Sequence, residues 1–271
     1  MLRVTVALAL IFTLLVAGQL FAASADVGSD FRLSYTLSAF AHQLLFVYWL
    51  GPDIGISIWS RKVVDPALSA ETRVAAGNMM NTIDLMPRIC LSLMLTVGGV
   101  LSETIGVVHP LWQMIGIVLL GPVWLTMTLI TYFRGDTSLG ETVAKFDVWF
   151  RWALVLGIIV STTYSWVTER LAETPWLAGK LYLLAAIIFL GMLMRRQFAG
   201  FYAGLAKLAD SGATPEVDTM MTRSLRRGQP FGYAIWVAML AAAFLGVVQP
   251  GSPEEPDTQA MNVTAAESLR R

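Results

Sequence analysis

The chain has 271 residues, 56% of them hydrophobic and only 14% charged, against about 25% charged in an ordinary soluble domain. Its 19 basic and 19 acidic residues cancel, so no bulk field draws polyanions and a nucleic-acid binder is excluded. One cysteine, Cys90, excludes an internal disulfide framework and any multi-cysteine metal or iron–sulfur centre. Two histidines, His42 and His109, exclude a histidine-rich metal cage. Mean hydropathy of +0.63 completes the picture. The composition predicts an all-α, polytopic integral membrane helical bundle with six or seven transmembrane helices.

A bilayer core needs roughly 20 apolar residues per helix. Seven stretches of that length are predicted, at about 4–24, 35–59, 79–101, 108–132, 146–168, 176–194 and 231–248. The first reads equally well as a cleaved signal peptide or an uncleaved signal anchor. Arg3 precedes its apolar run, and Ala23-Ser24-Ala25 closes it with small residues. The chain therefore divides into residues 1–25, a transmembrane bundle over 26–248, and a tail over 249–271. That tail is rich in Pro, Glu and Ser and is expected to be disordered. Asn262-Val263-Thr264 within it fits a glycosylation sequon.

Alternate loops separate by charge. Loop 60–78 carries Arg61, Lys62 and Arg73, loop 133–145 carries Arg134 and Lys145, and loop 195–230 carries six basic residues. The positive-inside rule places these loops in the cytoplasm and the carboxyl tail outside, as in a bacterial inner membrane protein. In loop 60–78, Asp65-Pro66 has the residues of an N-cap and first helical position, with the helix running on into the third span. In the long basic loop, Phe198, Phe201, Tyr202, Leu205 and Leu208 recur at helical spacing. They predict either a helix lying on the membrane surface or a plain extension of the sixth span.

Ionisable groups inside spans are the default functional candidates, because burying them unpaired is costly. His42 falls in the second span, and neutral imidazole is a good ligand for haem iron or copper. Asp53 follows Gly51-Pro52, which is expected to kink the same span toward its inner end. Asp84 and Arg88 are spaced i, i+4 on the third span around Pro87, and so share one face. Asp53, Asp84 and Arg88 are expected to form an intramembrane charge cluster. Its reading is a proton or anion site, or a structural pair fixing helix register. His109, the second candidate metal ligand, opens the fourth span beside Pro110 and Trp112. Asp147 and Arg151 repeat the i, i+4 pairing on the fifth span, and Lys180 sits near the outer end of the sixth. Met94 falls at about the depth of His42 on an antiparallel helix, which makes a His–Met axial pair possible. Met79, Met80, Met86 and Met94 form no regular methionine stripe.

The run from His42 through Trp49 to Gly51, followed on the next span by Pro87 and Gly98-Gly99, resembles the HemJ-type membrane protoporphyrinogen oxidases. It is similar also to the copper-resistance D membrane proteins. The resemblance covers about residues 38–100. It implies haem b as cofactor with His42 as its axial ligand.

Three functions follow as expectations. The first is a haem b-binding membrane protein in electron transfer or porphyrin oxidation. His42 would ligate the iron, Arg88 would meet a porphyrin carboxylate, and Met94 or His109 would be a second ligand. The second is a copper or small-solute transporter built on Asp53, Asp84 and Arg88. The third is a non-catalytic membrane subunit or scaffold. The expected partners are the lipid bilayer, a membrane or periplasmic protein, and further copies of the chain.

Overall fold

A computed structural model describes residues 29–252. The first predicted stretch, and the tail from residue 253 onward with its sequon, lie outside the described residues. Those residues form seven helices and no strand: α1 (Ser29–Val63), α2 (Ala70–Ile83), α3 (Leu85–Thr104), α4 (Leu111–Phe133), α5 (Ser138–Val167), α6 (Pro175–Ser211) and α7 (Pro215–Val248).

Local chemistry sets the helix starts. Ser69, Thr137 and Thr214 each accept a hydrogen bond from a backbone N–H three residues on, capping α2, α5 and α7. Pro175 and Pro215 open α6 and α7, where the missing N–H costs nothing. The predicted cap at Asp65 is corrected. Asp65 instead accepts from Ala67 N at 3.0 Å within the connecting turn, and Ser69 takes the capping role. Nor does the helix run straight into the third span. It breaks at Asp84, which ends α2 and precedes α3. Pro87 supplies the physical cause, because its ring crowds the carbonyl four residues back and offers it no donor. By contrast α1 passes unbroken through Pro52.

Four helical runs are long and apolar enough to cross a membrane: Ala70–Thr104 (α2 with α3), α4, α6 and α7. The predicted count of six or seven is thus met only in part among the described residues. α1 and α5 have the length but are more polar. α1 carries Ser34, Thr36, Ser38, His42 and Gln43, and α5 carries Glu141, Lys145, Asp147 and Arg151 in its first half.

The neighbours run α1–α3–α4–α5–α6–α7 and return from α7 to α1, while α2 packs on α1 and on the far part of α6. The Arg- and Lys-rich turns all gather at one end, the basic end. One apolar core joins Leu45 and Trp49 of α1, Met94 and Val97 of α3, Leu125 of α4, Ile187 of α6 and Met239 of α7. A second joins Trp124, Val155, Ile158 and Ile188 across α4, α5 and α6. A third lies toward the basic end, where Val63, Met80, Phe201, Leu208 and Met221 are buried together. Phe201 and Leu208 therefore sit inside a protein core, and α6 is a continuous extension rather than a surface-lying helix.

In lipid no hydrophobic drive holds helices together, so close van der Waals approach at small residues does. Thr96 of α3 shows the pattern, donating to Ile117 O at 2.6 Å and accepting from Gly121 N at 2.9 Å. A side chain at Gly121 would run into Thr96. The outward faces are apolar: Val160 on α5 is 66% exposed and Val237 on α7 is 67% exposed.

Candidate functional site

Two polar regions of the interior hold most of the candidate residues, His42 and a charge network. His42 projects from α1 into the α1–α3 seam, where Gly98 lies against it. A Cβ at Gly98 would stand 3.2 Å from His42 Cε1 and 3.6 Å from Nδ1. His42 Nδ1 is buried and has no hydrogen-bond partner. Buried polar atoms are normally paired, so this nitrogen is held at a cost. Ala41, Leu45, Trp49 and Met94 pack in the same core. Met94 is one helical turn from Gly98, about 6 Å along α3. Lys180 of α6 is the charge that acts on His42 electrostatically. Its ammonium lies 5.5 Å from the Trp176 ring centroid and against Gly246 of α7. It is half-buried in the α6–α7 seam rather than simply extended to the interface.

The donor chemistry at His42 is that of a single haem-iron ligand. The imidazole is unpaired, the glycine beside it leaves the ring room, and a thioether lies in the same core. The other predicted contributors are elsewhere. His109 Nδ1 lies 2.7 Å from Glu103 Oε2, and its backbone N–H donates to the same oxygen at 3.0 Å. Arg88 is ten residues before Gly98, about 15 Å along α3, and is paired with Asp84. Among the described residues no three His, Cys, Asp or Glu side chains converge as a metal site.

The charge network lies nearer the basic end and is larger than the sequence suggests. Arg88 NH2 pairs with Asp84 Oδ2, and the Tyr202 side chain of α6 lies within electrostatic reach of both. Asp53 of α1 accepts from Trp236 Nε1 of α7 at 3.3 Å and feels the Asp84 charge. On α5, Arg151 Nε donates to Asp147 Oδ2 at 2.7 Å, with both side chains buried. Trp124 Nε1 of α4 donates to Asp147 Oδ1 at 3.2 Å, and the Arg151 guanidinium stacks 5.0 Å from the Trp124 ring centroid. Arg195 of α6 joins the two halves. Its NH1 lies 3.3 Å from Asp147 Oδ2, and it interacts electrostatically with Asp84, Arg88 and Arg151.

Three aspartates and three arginines thus meet with two tryptophans and a tyrosine, drawn from six of the seven helices. Asp147 and Arg151 are enclosed, whereas the Arg195 side chain is 43% accessible and the Arg88 side chain 28%. The network is therefore closed off around α5 and accessible at its α3 and α6 arginines.

Of the three charges expected to cluster, Asp84 pairs with Arg88, while Asp53 feels the Asp84 charge and takes its hydrogen bond from Trp236. Spacing alone does not single out Arg195, Trp124 or Trp236, and it marks Tyr202 only as part of an apolar helical stripe. The signal available for Arg195 was its place at the border of an apolar run, where an arginine ordinarily faces lipid headgroups. A scan of family models, a search of curated proteins and a search of solved structures each gave no match to this chain.

Proposed function

We propose that the chain is a haem b-binding integral membrane protein, active in electron transfer or porphyrin oxidation, with His42 as an axial ligand. The observation that supports this reading is the buried, unpartnered His42 Nδ1 beside Gly98. A bound haem would supply one-electron exchange. The chain's own part is to hold the imidazole, keep water from it with Leu45, Trp49 and Met94, and place Lys180 as the nearby positive charge. The reading includes six spans over α1 to α7, counting α2 with α3 as one, and a seventh if residues 4–24 remain as an anchor. The apolar outward faces of α1 and α5 support counting those two. It also places the basic end in the cytoplasm of a bacterial inner membrane.

The test is an absorption spectrum of the detergent-purified chain, oxidised and then reduced with dithionite. A Soret band that shifts on reduction, with sharp α and β bands, is the expected result, and His42→Ala should abolish it. A featureless visible spectrum from protein made with ample haem overturns the reading.

One observation favours a second reading, a copper or small-solute transporter: the charge network is partly accessible at Arg88 and Arg195. Broken helices with nearby charges are a transport signal, and α2 and α3 break at Asp84. On this reading Asp84→Asn abolishes flux in proteoliposomes while His42→Ala leaves it near wild type. On the haem reading His42→Ala loses the haem spectrum while Asp84→Asn keeps it.

A further inference from the structure

Beyond His42 and the charge network, the basic end holds a groove of about 630 Å³ between α6 and α7. Arg196 and Gln197 of α6 face Arg223 and Arg227 of α7 across it, with Gly200 and Ser224 at its floor and Glu216 at its rim. The floor has spent its polar groups. Ser224 Oγ donates to Gln197 O and accepts from Phe201 N at 2.9 Å. The arginines have not. Arg196, Arg223 and Arg227 are exposed and, among the described residues, take part in no hydrogen bond or ion pair. Arg223 and Arg227 are also an i, i+4 pair of like charge, an arrangement that destabilises a helix unless an anion lies between. Three free guanidiniums lining one groove from two helices offer the forked donors that phosphate oxygens accept.

The depth of the groove adds to this. The apolar run of α6 ends at Met194, two residues before Arg196, and that of α7 begins at Phe231, four residues after Arg227. The groove therefore starts at the border where a lipid phosphate would lie, and continues about 12 Å beyond it to Arg223. We propose that this groove binds a phosphate group at the basic face of the membrane, carried by an anionic phospholipid or present as the free ion. Basic pockets between helices on the cytoplasmic side are suited to such headgroups. The proposal is independent of haem at His42.

The test is native mass spectrometry of the full chain in a neutral detergent, titrated with phosphatidylglycerol, phosphatidylcholine and inorganic phosphate. One phosphatidylglycerol should bind per chain, at least about tenfold tighter than phosphatidylcholine. The double variant Arg196→Gln with Arg227→Gln should lose about tenfold or more in affinity. Arg223→Gln should lose part of that, and Arg134→Gln, at the basic end of α4, should lose nothing. Thermal melts by circular dichroism read folding separately, and Arg223→Gln carries the test if the double variant melts early. Displacement of the lipid by millimolar inorganic phosphate identifies the free ion as a ligand. No displacement identifies the lipid headgroup, and either outcome supports the site. Equal binding of the two lipids, wild-type affinity in the arginine variants, or an equal loss in Arg134→Gln overturns it.

Discussion

Arg73 illustrates what a single residue can do that its sequence position conceals. It lies in a loop-like stretch and counts there as one more positive charge. In the structure its side chain is 1% exposed. Its Nε donates to Val63 O at 2.7 Å, and its NH2 pairs with Asp218 Oδ1 at 2.6 Å. One guanidinium thus fastens the end of α1, the start of α2 and the first turn of α7. Replacing it by leucine leaves a carbonyl and a partly solvated carboxylate without their donor. Arg73→Leu should lower stability by about 3 kcal/mol, read as an earlier melt in detergent, while Arg61→Leu should lower it little. Arg61 is exposed and, among the described residues, reaches only the Tyr233 hydroxyl. Spacing does reveal Asp84 with Arg88 and Asp147 with Arg151, because i, i+4 contacts are local. It cannot reveal Arg73–Asp218, whose partners are 145 residues apart, nor Arg195 on Asp147, 48 apart.

At the scale of elements, most boundaries are legible because bilayer-length apolar runs dominate the chain, but three features depend on contacts the sequence does not display. The break at Asp84 needs Pro87 and the turn around it. The start of α2 at Ser69 rather than Asp65 reflects a choice between two competent caps. The continuity of α6 past Met194 depends on what its far half packs against. That half is held to α7 through small residues. A side chain at Gly204 would collide with Met221, which is fully buried. Gly204→Leu should therefore force α6 and α7 apart and cost about 2 kcal/mol. Ala203→Leu, one residue away on the exposed face, should leave the melting temperature within error of wild type. Equal melts for the two variants would show that the hairpin does not depend on this close approach.

For the molecule as a whole, the all-helical architecture is legible from hydropathy alone, and the gathering of basic turns at one end follows from loop charge. The convergence of six helices on one charge network is not legible, because it requires knowing which helices are neighbours. The proposed orientation is open to direct measurement. The single cysteine, Cys90, is buried in the core, so Cys90→Ser gives a background in which one introduced thiol reports its own side. Glu173→Cys, in the α5–α6 turn, should react with a membrane-impermeant maleimide on spheroplasts. Ala67→Cys and Asp136→Cys, in the turns at the basic end, should react only after the membrane is opened. The reverse pattern would invert the proposed orientation.

The α6–α7 hairpin has a mechanical consequence. α6 is 37 residues long and α7 is 34, so each measures about 50–55 Å against an apolar core of about 30 Å. About 20–25 Å of each helix therefore extends past that thickness at the basic end. That length does not stand free: Arg73 ties the first turn of α7 to the end of α1 and the start of α2, and Phe201, Leu208 and Met221 are buried against Val63 and Met80. The hairpin is thus a braced stalk, and loosening Arg73 removes one of its stays.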